Sequence, residues 1–243
     1  MEMVKDGRLT KRTVANRLSG LSEAQQTAFD LYCRRLLEER ARAGLTSLRD
    51  RESIYRRHFG ESLSLLAALE DAGVFASPAI DIGTGAGFPG LPMKIVRPQL
   101  QLTLLEATGK KAAFLERLVA ELGLSGVNVI NGRAEELAHD PAQREHYALA
   151  LARAVAPLRT LVELALPFVR LGGVLAAPKG SGAEREVREA KAALEACGGR
   201  VESLRPLAVP GPGPAPMLVL VRKEVRTPRR FPRRAGMPTK RPL

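Results

Sequence analysis

The sequence predicts an α/β protein whose central sheet is mostly parallel, and three observations support that fold class. Apolar strand patterns alternate with helical patterns over roughly 130 residues from residue 78 onward. A glycine-rich loop directly follows the first of these strands. Two consecutive strand patterns close the alternation, and the loop between them is too short for a crossover helix. We therefore expect an antiparallel last strand.

Helices are predicted before the first strand. Ser22 and Gln25 have the spacing of a capping box, and apolar residues then recur at helical intervals. This pattern predicts a helix over about residues 22–42, and Gly44 ends it. A second helical region runs to Gly73, so the α/β part carries an N-terminal helical extension.

Seven strands are predicted from short apolar runs. Runs that are apolar at nearly every position are typical of parallel strands buried on both faces. In chain order the predicted strands are PAIDIG, QLTLLEA, VNVING, YALALAR, GGVLAAP, RVESLRPLAV and APMLVLVRK.

Five helices are predicted among those strands. PGLPMKIV has a proline in its first turn, where the missing N–H is not needed. GKKAAFLERLVAELG places Phe114, Leu115 and Leu118 on one face. AEELAH predicts a short helix, PLRTLVELALPFVR an apolar one, and GAEREVREAKAALEA a single charged helix with a narrow apolar stripe.

Composition divides the chain into four parts. They are a basic, flexible N-terminus (1–20), the helical region (21–73), the α/β domain (74–223) and a basic C-terminal arm (224–243). The formal net charge is +12 at pH 7, and the last 22 residues carry nine Lys/Arg and one Glu. Basic ends on a nearly neutral body predict a polyanionic partner, because each phosphate that is neutralised releases counterions.

Cysteine use and hydropathy indicate the compartment. Cys33 and Cys197 lie far apart and match no metal-site spacing, which favours a reducing compartment over a disulfide scaffold and gives no metal site. The first twenty residues contain no apolar signal region, and Glu163 and Arg170 interrupt the longest apolar stretch. We expect a soluble cytoplasmic protein without a membrane span.

The loop DIGTGAGF indicates the kind of ligand. Ligands of open α/β sheets bind beyond the carboxyl ends of the strands. Gly83, Gly85 and Gly87 let a ligand approach the backbone, but Phe88 stands at the position where a dinucleotide fingerprint has its third glycine. Asp81 would repel a pyrophosphate and could accept hydrogen bonds from an ammonium group. An amino-acid head therefore fits this loop better than a diphosphate.

A second acid completes the pattern. Glu106 ends the second strand and is placed to bind ribose hydroxyls, which disfavours a ribose 2′-phosphate. An ammonium group together with an unphosphorylated ribose describes S-adenosyl-L-methionine. The loop and this acid resemble the sequence signature of class I methyltransferases, which have a Rossmann-like fold. In such enzymes the segment after the third strand holds the adenine, which here points to Ala134 and Glu135.

The methyl acceptor is narrowed by the segment after the fourth strand. LARAVAP lacks the N/D-P-P-aromatic pattern of enzymes that methylate exocyclic amines, and neither cysteine is placed for attack on cytosine. An acceptor with a free lone pair, such as guanine N7, needs only alignment. Arg153 and Lys179 are the candidate catalytic residues, both expected at the rim of the site.

Five segments together resemble one family. They are LTSLRDRESIYRRHFGESLSLL (45–66), DIGTGAGFPGLPMKIVRP (81–98), LARAVAPL (151–158), PKG (178–180) and TPRRFPRRAGMPTKRPL (227–243). In this order they resemble the bacterial small-subunit ribosomal RNA methyltransferase G family, also called glucose-inhibited division protein B. The resemblance covers roughly residues 29–243.

The resemblance implies methyl transfer from S-adenosylmethionine to guanine N7 in the 530 loop of 16S rRNA. His58 becomes a catalytic candidate, although a positioning role is favoured because N7 transfer needs no proton abstraction. Implied cofactor contacts are Gly83, Phe88, Glu106, Ala107, Thr108, Ala134, Glu135 and Arg153. Implied substrate contacts are Arg57, Ser62, Arg229, Arg230, Arg233 and Arg234.

Other functions remain open at this point. A methyltransferase acting on another RNA, on a protein or on a small molecule would share the cofactor loop. A non-catalytic RNA-binding assembly protein would share the basic ends. The partner that the resemblance implies is 16S rRNA or the small ribosomal subunit, and a monomer is the default expectation.

Overall fold

The computed structural model describes residues 20–210 and 214–243, so the predicted N-terminal segment 1–20 lies outside it except for Gly20. The described residues contain one seven-stranded sheet. Its strands are β1 (Ala79–Ile82), β2 (Leu102–Glu106), β3 (Val127–Asn131), β4 (Tyr147–Leu151), β5 (Val169–Lys179), β6 (Gly199–Pro206) and β7 (Met217–Lys223).

The strand order is β3-β2-β1-β4-β5-β7-β6. Neighbours among the first five strands pair in parallel, and β7 pairs antiparallel with both β5 and β6. This confirms the predicted fold class, including the antiparallel last strand. The order places the carboxyl ends of β1, β2 and β4 beside one another.

Helices surround this sheet. They are α1 (Glu23–Ala43), α2 (Arg51–Ile54), α3 (Glu61–Asp71), α4 (Gly90–Val96), α5 (Gly109–Glu121), α6 (Ala134–Leu137), α7 (Leu158–Ala165), α8 (Ala183–Glu189), α9 (Lys191–Cys197) and α10 (Met237–Lys240). A π-helical turn joins α2 to α3 over Tyr55–Gly60, and a 3₁₀ turn follows α7 over Leu166–Phe168. No helix in the described part of the chain is long and apolar enough to cross a membrane.

Both sheet faces are covered. Leu104 belongs to the apolar cluster beneath the N-terminal helices, whereas its neighbour Leu105 belongs to the cluster beneath α7 and α9. Adjacent residues of one strand thus enter two cores, which explains the nearly continuous apolar runs. The predicted capping box is present, with Ser22 and Gln25 bonding each other's backbone N–H. The N-terminal helices are therefore part of the layer that covers the sheet.

Two predicted helices were wrong in extent. The helix expected over 182–196 is interrupted at Ala190, whose φ and ψ are −85° and 2°, so α8 and α9 are separate. The buried Ala190 lies where α9 turns to pack against α7. The helix expected over 157–170 ends at Ala165, because Pro167 has no N–H to continue it. Strand β5 consequently begins three residues earlier than predicted.

Candidate cofactor and acceptor site

The glycine loop leaves β1 with left-handed backbone conformations. Gly85 has a φ of +63°, and a Cβ built there would meet no atom within 4 Å, so this side of the loop is open. Gly87 has a φ of +104°, and a Cβ there would lie 2.6 Å from Tyr32 Oη and from Leu91 Cδ1. Gly83 also has a positive φ. The loop is packed on one side and free on the other, as a ligand platform requires.

Asp81 lies at the base of this loop and is completely buried. Its Oδ2 accepts hydrogen bonds from Thr84 Oγ1 at 2.7 Å and from the Gly90 N–H at 2.8 Å. Its Oδ1 has no partner among the described residues. Removal from water raises the pKa of Asp81 to about 7. A buried carboxylate oxygen without a partner is costly, and an ammonium group would complete its surroundings.

Glu106 joins the loops that follow β1 and β2. Its Oε2 accepts from the Gly85 N–H at 2.9 Å and its Oε1 from the Thr108 N–H at 2.8 Å. Each carboxylate oxygen keeps a second acceptor position, so both remain able to bind a hydroxyl. Ala107 and Thr108 are exposed beside it. The structure thus brings Asp81, Glu106 and the open glycine loop together.

The segment after β3 has a role that the sequence did not reveal. Glu135 lies at the start of α6 and is 9 % exposed. Its Oε1 accepts a hydrogen bond from the Gly236 N–H at 2.8 Å. Ala134 is half-buried beside it. This edge of the candidate adenosine site is therefore in contact with the C-terminal segment.

The π-helical turn places His58 against the loop. Its ring stacks on Phe88 with centroids 4.5 Å apart, and Nε2 lies 2.7 Å from Thr46 Oγ1. Nδ1 lies 3.3 Å from Arg153 Nη2. Since a guanidinium only donates, Nδ1 must accept, and Nε2–H therefore donates to Thr46. Burial, with Arg153 and Arg57 nearby, lowers the pKa of His58 to about 4. His58 is neutral and bonded through both nitrogens.

Phe88 is a packing residue in this structure. It is 5 % exposed, and its ring lies between His58 and the parallel ring of Tyr32, whose centroid is 5.2 Å away. Tyr32 also donates a hydrogen bond to the Ala86 carbonyl at 2.5 Å. Helix α1 therefore holds the tip of the glycine loop, a contact that sequence reasoning missed.

Arg153 follows β4 and connects several candidate residues. Its Nη1 lies 3.2 Å from Glu61 Oε2, and its guanidinium carbon lies 5.3 Å from the Phe88 ring centroid. Burial lowers the pKa of Arg153. Arg57 is exposed nearby. Ser62 is fully buried and donates to the His58 carbonyl at 2.6 Å, so its hydroxyl is used within the turn.

A cavity of about 460 Å³ lies beside this cluster. Arg153 and Lys179, the two candidate catalytic residues, both line it. Lys179 Nζ lies 3.0 Å from Glu186 Oε2 and donates to the Ala156 carbonyl at 2.5 Å. Glu61 and Glu186 also line the cavity, and the rest of the wall is mostly apolar, with Leu65, Pro89, Val155, Pro157, Pro178, Leu207, Val209 and Pro216.

The C-terminal segment is folded onto α6 and α7. Arg233 bonds both carboxylate oxygens of the fully buried Glu163, at 2.8 and 2.6 Å. Arg144 donates to the carbonyls of Thr227 and Phe231. Four of the arginines predicted to bind substrate lie in this segment. Arg233 is held by this ion pair, whereas the other three are exposed: Arg229, Arg230 and Arg234.

The family profile described as rRNA small subunit methyltransferase G matches residues 25–209. The chain belongs to this family. Curated relatives named ribosomal RNA small subunit methyltransferase G include those of Chloroflexus aggregans and Roseiflexus castenholzii. They are 46 % and 45 % identical to this chain. Each alignment covers 92 % of this chain, and the two cover 92 % and 94 % of the respective relatives. The predicted family and ribosomal RNA methylation are thereby confirmed.

Solved structures agree on the fold. A variant of MtNAS crystallised with S-adenosylmethionine has a TM-score of 0.55 at 19 % identity, covering 90 % of this chain and 86 % of that one. A candidate O-methyltransferase from Klebsiella pneumoniae has a TM-score of 0.56 at 15 % identity, covering 88 % and 96 %. Within the described residues no group of three or more His, Cys, Asp or Glu side chains is arranged to hold a metal ion.

Proposed function

We propose that this ribosomal RNA methyltransferase transfers a methyl group to N7 of a guanine in the 530 loop of 16S rRNA. The observation that carries the choice of atom is the state of His58. The imidazole of His58, which bonds the cavity residue Arg153, is neutral and bonded through both nitrogens, so it is not available as a base. Guanine N7 has a free lone pair and loses no proton on methylation.

The cofactor is S-adenosylmethionine, in keeping with family membership, and the residues present fit it. Asp81 Oδ1 offers an acceptor to an ammonium group, and Glu106 offers acceptors to ribose hydroxyls. The glycine loop is open at Gly85. Ala107, Thr108, Ala134 and Glu135 surround the place assigned to the adenosine. When bound, the cofactor supplies an electrophilic methyl group on a sulfonium.

The residues around the cavity suit a neutral nucleophile that becomes a cation. N7 would form the new bond with its lone pair, the methyl–sulfur bond of the donor would break with its electrons kept by sulfur, and the positive charge would pass to the purine. Glu61 balances Arg153, and Glu186 balances Lys179. The cations that position the base therefore add little net repulsion as the purine charge develops.

Recognition of RNA is assigned to the C-terminal segment. Arg233 fixes it to Glu163, and the exposed Arg229, Arg230 and Arg234 are then presented from an ordered backbone. Lys240 and Arg241 extend the charge, and both are exposed. Such residues suit phosphate contacts, which set position and affinity. The small ribosomal subunit or its RNA is the proposed partner, in the cytoplasm, and we expect a monomeric enzyme.

The test uses labelled S-adenosylmethionine with three substrates that lack this modification: small subunits, deproteinised 16S rRNA and large subunits. The expected result is label in small-subunit RNA, identified by mass spectrometry as N7-methylguanosine in the 530 loop. Label in another nucleoside or another loop would overturn the acceptor. Binding of RNA without binding of S-adenosylmethionine would favour a non-catalytic assembly protein.

A further inference from the structure

The ion pair between Lys179 and Glu186 lies in the wall of the acceptor cavity. Lys179 follows β5, and Glu186 projects from α8. Both side chains are largely buried, at 10 % and 23 % exposed, and both line the cavity together with Arg153. A largely buried ion pair adds little stability unless further hydrogen bonds satisfy both charged groups. The hydrogen bonds of Lys179 and Glu186 therefore indicate whether the pair serves stability alone.

Part of the hydrogen-bonding capacity of this pair is free. Lys179 Nζ has three N–H groups, of which one faces the Ala156 carbonyl and one faces Glu186 Oε2. Glu186 Oε2 also accepts from the Leu158 N–H at 2.7 Å. Glu186 Oε1 takes no hydrogen bond from residues 20–210 or 214–243. One ammonium N–H of Lys179 and one carboxylate oxygen of Glu186 therefore have no partner among the described residues, and both side chains line the cavity.

We propose that Lys179 and Glu186 select guanine as the base that is methylated. Guanine presents the O6 acceptor next to the N1–H donor, which matches a free ammonium N–H beside a free carboxylate oxygen. Adenine presents the reverse, an amino donor next to an acceptor nitrogen. The apolar wall, with Pro89, Pro157 and Pro178, offers flat surfaces to the faces of a purine. This inference rests on the proposed function and adds its specificity determinant.

The same pair also supports the loop after β4. Lys179 bonds the Ala156 carbonyl and Glu186 bonds the Leu158 N–H, on either side of Pro157. That loop contains Ala154, which has a positive φ of 57°. A substitution could thus slow the reaction by moving Arg153 alone. Movement of Arg153 would slow methyl transfer by the same factor for every base. Loss of base selection would slow guanosine more than adenosine.

The experiment compares bases at the target position. Reconstituted small subunits carry guanosine, inosine, 2-aminopurine or adenosine there, and kcat/KM for methyl transfer is measured. Inosine keeps O6 and N1–H, so the wild-type enzyme should accept it within about 3-fold of guanosine. 2-Aminopurine and adenosine lack that pair and should be slower by about 10- to 100-fold, the range of one good base-edge contact.

The variants are Glu186→Ala and Lys179→Met. In each, guanosine and inosine should fall toward the rate of adenosine, so the preference collapses while the Kd for S-adenosylmethionine stays within about 2-fold. Glu189→Ala is the matched control, because Glu189 is exposed on the same helix and pairs only with Arg185 among the described residues. It should keep the full preference.

Equal slowing of all four bases in both variants would overturn the inference and leave the pair a purely structural role. A variant with a melting temperature well below wild type is replaced by Glu186→Gln, which keeps the size and the bond to Leu158. An unchanged preference in that variant would also count against Glu186. If the wild-type enzyme methylates an atom other than N7, the proposed function fails independently of these ratios.

Discussion

Asp81 and Glu163 are both completely buried carboxylates, yet their surroundings are opposite. Glu163 accepts from the backbone N–H, Nε and Nη2 of Arg233 at 2.8, 2.8 and 2.6 Å. Asp81 accepts two bonds on one oxygen, and its other oxygen has no described partner. Both oxygens of Glu163 are hydrogen-bonded by the chain itself, whereas one oxygen of Asp81 is not.

This difference distinguishes a carboxylate that stabilises the fold from one that is suited to bind a ligand. A buried charge whose partners are complete specifies one arrangement, and here it fastens the C-terminal segment to α7. A buried charge that lacks a partner costs stability, and a ligand that supplies the partner offsets that cost. We infer that Asp81 is destabilising in the empty protein and favourable in the complex.

The largest expected effect is that of Asp81→Asn. Removing one member of a buried charge pair costs about 2–5 kcal/mol, so the affinity for S-adenosylmethionine should fall by about 30-fold or more. The melting temperature of the empty protein should be unchanged or higher, because an unpaired buried charge is lost. Calorimetric titration and thermal unfolding measure the two effects. Unchanged affinity would refute the assignment, and a large drop in melting temperature would indicate a structural role.

Glu163→Gln should show the opposite pattern. It leaves the Arg233 guanidinium with a weaker partner. The free energy of unfolding should fall by about 2–3 kcal/mol, less than for a fully buried pair, because Arg233 is partly exposed. That corresponds to a melting temperature lower by about 5–10 °C. Affinity for the cofactor should stay within about 2-fold, while binding to small-subunit RNA weakens. A fall in cofactor affinity as large as that of Asp81→Asn would remove the distinction between the two acids.

The exposed arginines of the C-terminal segment test whether this segment binds RNA. Arg229→Glu with Arg230→Glu should weaken RNA binding by about 10-fold and reduce the salt dependence by about one unit per lost phosphate contact. The control is Arg34→Glu with Arg49→Glu, which reverses two other exposed arginines and changes the net charge by the same amount. Filter binding at several salt concentrations measures both quantities. Equal losses in the control would mean that net charge, and not this surface, attracts the RNA.

Protonation of Asp81 gives a smaller but specific signal. Burial raises its pKa from 3.8 to about 7, so the folded protein holds a proton that the unfolded chain releases. The contribution of Asp81 to stability therefore falls as pH rises from about 4 to 7. An ammonium ligand requires the ionised form, so cofactor binding at pH 7 should release about half a proton. Titrations in buffers of different ionisation enthalpy measure this release, which Asp81→Asn should abolish.

Much of this fold follows from periodicity, and the exceptions have physical causes. Strand β2 is predictable because both of its faces are buried, which makes the apolar run continuous. The break at Ala190 is not predictable from the apolar stripe, because its φ and ψ differ modestly from helical values and the packing of α9 decides it. The π-helical turn at Tyr55–Gly60 likewise has no periodic signal.

The candidate site divides in the same way. Asp81 and Glu106 can be predicted because each ends a strand, and the ends of parallel strands meet at one edge. Tyr32 cannot, because its bond to Ala86 spans 54 residues of sequence. The C-terminal segment was expected as a basic arm, and charge alone gave no sign that Glu163 would hold Arg233. Contacts between distant elements lie beyond what local pattern can reveal.

The smallest effect concerns Glu135, where the two regions meet. It lies at the proposed adenosine site and accepts from the Gly236 N–H of the fastened segment. Glu135→Gln keeps an acceptor oxygen, so the melting temperature should change by about 1–3 °C and cofactor affinity by a few-fold. If the regions are independent, its effects should add to those of Glu163→Gln within about 0.5 kcal/mol. A larger interaction energy in this double-mutant cycle would mean that docking of the segment and binding of the cofactor are coupled through Glu135.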